Sequence, residues 1–147
     1  MGTNFYAHRI PKEHERAAIH KKIDEYLNGD CMLDDVLNEL SPAEKGLHLG
    51  KMSYGWQFLW CLNPDYYNDN LKSIRTFLSL PDIIIYNEYG EKYTVDEFFD
   101  HIGPCLYMDD EHINAFCYER LHPTEFSRRD KEWTSEDGLR FTTGEFC

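Results

Sequence analysis

Lys45-Gly46-Leu47-His48-Leu49-Gly50-Lys51-Met52-Ser53-Tyr54-Gly55-Trp56-Gln57-Phe58-Leu59-Trp60-Cys61-Leu62 decides how the rest of the chain is read. It has the form of two apolar strands joined by a glycine-marked turn. Leu47 and Leu49 alternate with His48 and Gly50; beyond the turn, Trp56, Phe58 and Trp60 alternate with Gln57, Leu59 and Cys61. A period of two puts alternate side chains on one face of a sheet, so the three aromatic rings are expected to share a buried face. Met52-Ser53-Tyr54-Gly55 supplies the small residue and glycine of a hairpin connection.

Working outward, Thr3 to Ile10 has the composition of a first strand, with Phe5 and Tyr6 as its strand formers. Pro11 ends it and suits the first position of a helix. Lys12 to Leu27 repeats Ala18, Ile19, Ile23, Tyr26 and Leu27 at helical spacing, which predicts an amphipathic helix stopped by Gly29. Asp30 is placed to cap a second helix reaching about Leu40, with Met32, Leu33, Val36, Leu37 and Leu40 on its buried face. Ser41-Pro42 breaks the chain before the hairpin.

After the hairpin, Asn63-Pro64-Asp65 marks a turn, and Asn68 or Asp69 is expected to cap a helix through Leu71, Ile74, Phe77 and Leu78. Ile83-Ile84-Ile85-Tyr86 reads as a strand buried on both faces. Asn87-Glu88-Tyr89-Gly90 turns the chain toward a short strand over Glu91 to Thr94. Thr94 then caps a helix over Val95 to Ile102, ended by Gly103-Pro104, with Asp96 and Glu97 in its electropositive first turn. Met108 to Cys117 opens like a further helix. Ser127 to Gly138 reads as a polar loop, and Leu139-Arg140-Phe141 as a last strand. The order predicts one α+β domain over residues 1–147, with helices packed on an antiparallel or mixed sheet centred on the 46–62 hairpin.

The chain has 147 residues, 15 Lys plus Arg against 27 Asp plus Glu, and a formal net charge of −12. That field repels nucleic-acid backbones and acidic membranes, so neither is expected as a direct partner. No apolar run is long enough to span a bilayer. Cys31, Cys61, Cys105, Cys117 and Cys147 show no Cys-x-x-Cys pair and no secretory signal pattern precedes them, which predicts free thiols in a reducing cytoplasm.

Three stretches carry a family resemblance: Met1-Gly2-Thr3-Asn4-Phe5-Tyr6, Leu47 to Phe58, and Tyr86-Asn87-Glu88-Tyr89-Gly90. They resemble a family of small bacteriophage and prophage proteins with an MGTN[FY]Y start, an LHIGKSSxGWxF hairpin and an I-x-DEYG turn before an acidic helix. The ending Gly138 to Phe146 is similar to endings in that family. Met52 stands where the family has serine, and Asn87 where it has aspartate. The cysteine pair that some relatives carry before the hairpin has no counterpart here. The resemblance implies a phage accessory protein in the cytoplasm of a bacterial host, with no established reaction.

Motif chemistry narrows the possibilities. Gly50-Lys51 lacks the preceding glycine and following hydroxyl of a nucleotide-hydrolysing loop. Lys51, Ser53, Tyr54 and Trp56 nevertheless gather a cation, hydroxyls and rings at one turn, a set able to hold an anion or a base. The histidines lack ligand spacing, so neither metal nor cofactor is expected. No Gly-x-Ser-x-Gly and no Cys–His pairing stands out as a motif, so no catalytic residue is assigned.

The strongest asymmetry is electrostatic. Between Pro81 and Glu119 lie ten acidic residues against the single Lys92, a balance of −9. Asp96, Glu97, Asp100, Asp109, Asp110 and Glu111, with Tyr89 and Tyr107 among them, are the expected partner-binding set, since aromatic residues favour interfaces. The leading expectation is a non-enzymatic inhibitor of a host protein with a basic, nucleic-acid-binding surface, such as an anti-CRISPR or other anti-defence protein using an acidic, nucleic-acid-mimicking face. The alternatives are a nucleotide binder or sequestering protein using the Lys51–Trp56 turn, and an enzyme of unassigned class. Oligomeric state is left open.

Overall fold

The computed structural model describes residues 2–53, 55–107 and 132–143. These form strands β1 (Gly2–Arg9), β2 (Leu47–Ser53), β3 (Leu59–Cys61), β4 (Ile83–Asn87), β5 (Lys92–Tyr93), β6 (Glu132–Thr134) and β7 (Arg140–Thr142). Helices are α1 (Glu13–Leu27), α2 (Leu33–Asn38), α3 (Pro42–Lys45), α4 (Leu71–Leu78) and α5 (Val95–Leu106). The strands make one seven-stranded sheet in the order β5-β4-β1-β2-β3-β7-β6. Its pairs are antiparallel except β3 with β7, so the sheet is mixed and the fold is α+β, with β2 of the expected hairpin at its centre.

One face of the sheet makes the core. Phe5, Leu49, Trp60, Ile85 and Phe141 are buried there, with Ile74 and Leu78 of α4 and Phe98 and Ile102 of α5 in the same cluster. Phe58 meets Trp60 tilted at 4.6 Å and Phe5 meets Phe98 edge-on at 5.2 Å, arrangements that suit the ring quadrupoles. Gly50 is buried where β2 crosses β3. A Cβ there would fall 2.3 Å from the Leu59 carbonyl oxygen and 2.5 Å from the Phe58 ring, so no larger residue fits without displacing backbone.

The hairpin itself differs from expectation. β2 continues through Met52 and Ser53, which pair with Thr3 and Gly2 of β1, and β3 begins only at Leu59. Trp56 is therefore not in the core with Phe58 and Trp60; it is 44% exposed. The reason is hydrogen bonding. Phe58 donates its N–H to the Cys105 carbonyl on α5, and the buried Gln57 amide donates to the Leu106 and Gly138 carbonyls, which takes residues 57–58 off the β2 ladder. The period of two is lost before it reaches Trp56.

Other departures have local causes. No residue of α1 is buried, and of α2 only Val36 is, because the two helices contact each other with few contacts to the sheet. Met32, Leu33 and Leu37 are exposed, and α2 starts where the Asp35 carboxylate accepts the Met32 N–H at 2.9 Å, not at Asp30. Ser41-Pro42 opens the short α3, capped by reciprocal Ser41 and Glu44 bonds. The cap of α4 is Asn70 rather than Asn68 or Asp69, its Oδ1 accepting the Ser73 N–H at 2.7 Å. β4 is buried fully only at Ile85 and Asn87, as suits a strand with antiparallel neighbours and one packed face. α5 runs past Gly103-Pro104 to Leu106, since buried Ile102 and Leu106 hold its last turn in the core. Part of the expected 127–138 loop is β6, whose Trp133 stacks on Phe141 at 5.7 Å. The helix expected from Met108 lies outside the described residues.

Candidate functional site

The second face of the sheet carries polar and ring-bearing residues in cross-strand rows. Asn4, Lys51, Leu59 and Arg140 stand opposite one another across β1, β2, β3 and β7. Next to that row, Tyr6 of β1 stands opposite His48 of β2, and their rings stack at 5.1 Å. These side chains come together because strand pairing aligns alternate residues from distant parts of the chain.

Lys51, Ser53, Trp56, Gln57, Leu59 and Arg140 line an open cleft of about 310 Å³. Leu59 forms an apolar part of the wall and Trp56 presents an exposed ring. Arg140 is braced by Glu132 on β6, its Nη2 donating to Oε2 at 2.8 Å, with both side chains about five-sixths buried. Such a pair orients the guanidinium. The cleft thus presents Lys51, the Glu132-paired Arg140, a hydroxyl and an aromatic ring in a chain whose net charge is −12. Of the turn residues expected to bind a ligand, Lys51, Ser53 and Trp56 line this cleft; Tyr54 lies outside the described residues.

Beside the cleft runs a chain of three side chains. Cys61 Sγ lies 3.4 Å from His48 Nδ1, and His48 Nε2 lies 3.0 Å from Asn4 Oδ1. One tautomer serves both contacts: Nε2–H donates to the asparagine oxygen and Nδ1 accepts from the thiol. Burial lowers the His48 pKa, with Lys51 adding to the shift and a Gly50 backbone hydrogen bond opposing it. Burial pushes the Cys61 thiol up to about 12. Both groups are therefore neutral at neutral pH. Their backbones are clamped by Asn63, whose Nδ2 donates to the His48 carbonyl at 2.9 Å and the Cys61 carbonyl at 3.3 Å.

The acidic set is divided. Asp96 and Asp100 are exposed on α5, but the Glu97 carboxylate accepts the Thr94 N–H at 3.1 Å and closes the cap of that helix. Tyr89, 71% exposed, sits on the β4–β5 turn, which Asn87 organises by accepting the Tyr89 and Glu91 N–H groups. Tyr107 lies beyond the other end of α5, roughly 17 Å from Asp96 at 1.5 Å per residue. Asp109, Asp110 and Glu111 lie outside the described residues.

Among the described residues no group of three or more His, Cys, Asp or Glu side chains is arranged to hold a metal, and no helix is long and apolar enough to cross a membrane. No protein-family model matches the chain, and no match to a curated protein or to a solved structure was found. The geometry alone supplies Arg140, Gln57 and Leu59 for the cleft and Asn4, His48 and Cys61 beside it. Their convergence depends on strand order and register, for which no local motif exists.

Proposed function

We propose that this protein binds a small anionic ligand bearing a flat ring, of the nucleotide class, in the cleft between Lys51, Trp56 and Arg140. The observation that carries the reading is the convergence of Lys51, Ser53 and Trp56 with Arg140 on one cavity of about 310 Å³. That size lies at the small end of ligand pockets. Arg and Lys match phosphate oxygens, the serine hydroxyl adds a hydrogen bond, and an exposed tryptophan face stacks on a base. Titration of nucleoside monophosphates into the protein, followed by tryptophan fluorescence, tests this. Saturable quenching is expected, and its loss in Trp56→Phe would place the ring at the ligand. No quenching by any of them would count against the reading.

A second reading is favoured by exposed Asp96, Asp100 and Tyr89 in the β4–β5–α5 region. In that reading an acidic face engages a basic nucleic-acid-binding surface of a host protein, in keeping with the phage-family resemblance and a place in the bacterial cytoplasm. Carboxylates would stand in for phosphates against arginine and lysine. Asp96→Lys with Asp100→Lys should weaken such a complex, which should also weaken as salt rises. Capture of the same partner by wild type and double variant alike would remove this reading.

A further inference from the structure

We propose that Cys61 is a nucleophile for acyl transfer, with His48 as its general base and Asn4 as the residue that positions the imidazole. The substrate class is a small acyl phosphate. This inference rests on the cleft reading for the phosphate handle, which Lys51 and Arg140 would hold.

Three observations carry it. First, thiol, imidazole and amide follow one another at 3.4 Å and 3.0 Å, and in the Nε2–H tautomer of His48 the nitrogen next to sulfur is the acceptor. A nucleophile, a base within reach and a group that orients the base are the parts that thiol catalysis needs. Second, all three residues sit on neighbouring strands, and the Asn63 clamp holds the His48 and Cys61 backbones together. Strands hold such groups more rigidly than loops do. Third, the relay adjoins the cleft. Lys51 is the cross-strand partner of Asn4. Leu59, which lines the cleft, is two residues from Cys61 on the same face of β3, a separation of about 7 Å along a strand.

The neutral resting state defines the step. Burial holds the thiol protonated and His48 unprotonated, so no thiolate–imidazolium pair stands preformed. As sulfur attacks the acyl carbon, the S–C bond forms and the thiol proton passes to His48 Nδ1. The bond from the acyl carbon to the phosphate oxygen breaks, and its electron pair leaves with phosphate. Phosphate then takes the proton from His48 and departs as hydrogen phosphate. Water, deprotonated by His48, attacks the thioester carbon; the C–S bond breaks with its electron pair going to sulfur, the acid is released, and the proton on His48 passes to sulfur to restore the thiol. No oxidant or reductant is needed.

The test is acetyl phosphate added to the full chain, with acetylation mapped by mass spectrometry. In samples quenched in acid before the thioester turns over, the expected result is a hydroxylamine-labile acetyl group on Cys61, formed at least about 100-fold faster than on Cys31 or Cys105, the low end of a general base's contribution. His48→Ala should remove that advantage while circular dichroism stays native; His48→Gln serves if the alanine variant unfolds. Asn4→Ala should slow labelling and Asn4→Asp, which keeps the acceptor oxygen, should restore it. A purely structural asparagine would not show that rescue. Labelling of Cys61 no faster than of the other cysteines, or unaffected at His48, overturns the proposal. Nucleotide binding by Cys61→Ser is measured alongside. Binding that persists where acetylation has failed removes the thiol chemistry alone, and loss of binding in wild type removes the cleft reading with it.

Discussion

Arg140 stands opposite Leu59 in the parallel β3–β7 pair, and that register brings its guanidinium to the cleft that Lys51 lines from β2. The Glu132 carboxylate at 2.8 Å keeps it there. Parallel pairing with the last described strand therefore completes a site begun by the central hairpin.

The two hairpin tryptophans should differ sharply in what they contribute to stability. Trp60 is fully buried among Phe58, Phe98 and Phe141, whereas Trp56 is 44% exposed at the cleft. Trp60→Ala is expected to cost about 3–5 kcal/mol, as large aromatic deletions in cores do. Trp56→Ala should cost less than about 1.5 kcal/mol, because much of its surface already faces water. Urea denaturation of both variants checks the contrast, and equal losses would mean that Trp56 packs in the core after all.

Alkaline pH should erode stability through Cys61. Burial raises its folded pKa from an ordinary 9.0 to about 12, which disfavours the thiolate in the folded state. The contribution is fully present below pH 9.0 and is lost as pH rises toward 12. Tyr67, raised chiefly by burial, adds to the same trend. Urea midpoints measured from neutral pH upward should fall above that onset, and Cys61→Ser should fall less steeply. Parallel curves for the two proteins would contradict the assignment.

Acid should act through Glu44. Its burial opposes ionisation, but bonds from Ser41 and Arg9 outweigh this and hold its pKa below the usual 4.5. The Arg9 contact, 2.8 Å long, ties α3 to β1. Stability from this group is present above pH 4.5 and declines as pH falls through the lower folded value. Glu44→Gln should cost about 1.5–3 kcal/mol at neutral pH, the range for hydrogen bonds to a charged group, and should flatten the acid limb. An unchanged acid limb would show that other carboxylates govern it.

Local signals in the sequence carried much of the fold and little of the site. Thr94 and Glu97 announce the start of α5, and Leu47 and Leu49 the inner face of β2, because capping and alternation act over a few residues. The separation of Trp56 from Trp60 was not legible, since it depends on Phe58 and Gln57 bonding to Cys105, Leu106 and Gly138 far along the chain. Pro104 suggested a helix end, yet packing of Leu106 carries α5 past it. At the cleft, Lys51, Ser53 and Trp56 stand out together in the hairpin sequence. Arg140 does not, because only the β3–β7 register brings it near. Likewise His48 and Cys61 meet through the β2–β3 pairing and the Asn63 clamp, without any motif of fixed spacing.

Calorimetric titration of the wild-type chain and of Lys51→Ala with adenosine, guanosine, cytidine and uridine monophosphates tests the central claim most directly. The cleft account predicts saturable heat with at least one of them, weaker binding as salt rises, and an affinity loss of about tenfold or more, roughly 1.4 kcal/mol, in a folded Lys51→Ala. No heat with any of the four, or the same affinity after removal of Lys51, would contradict it.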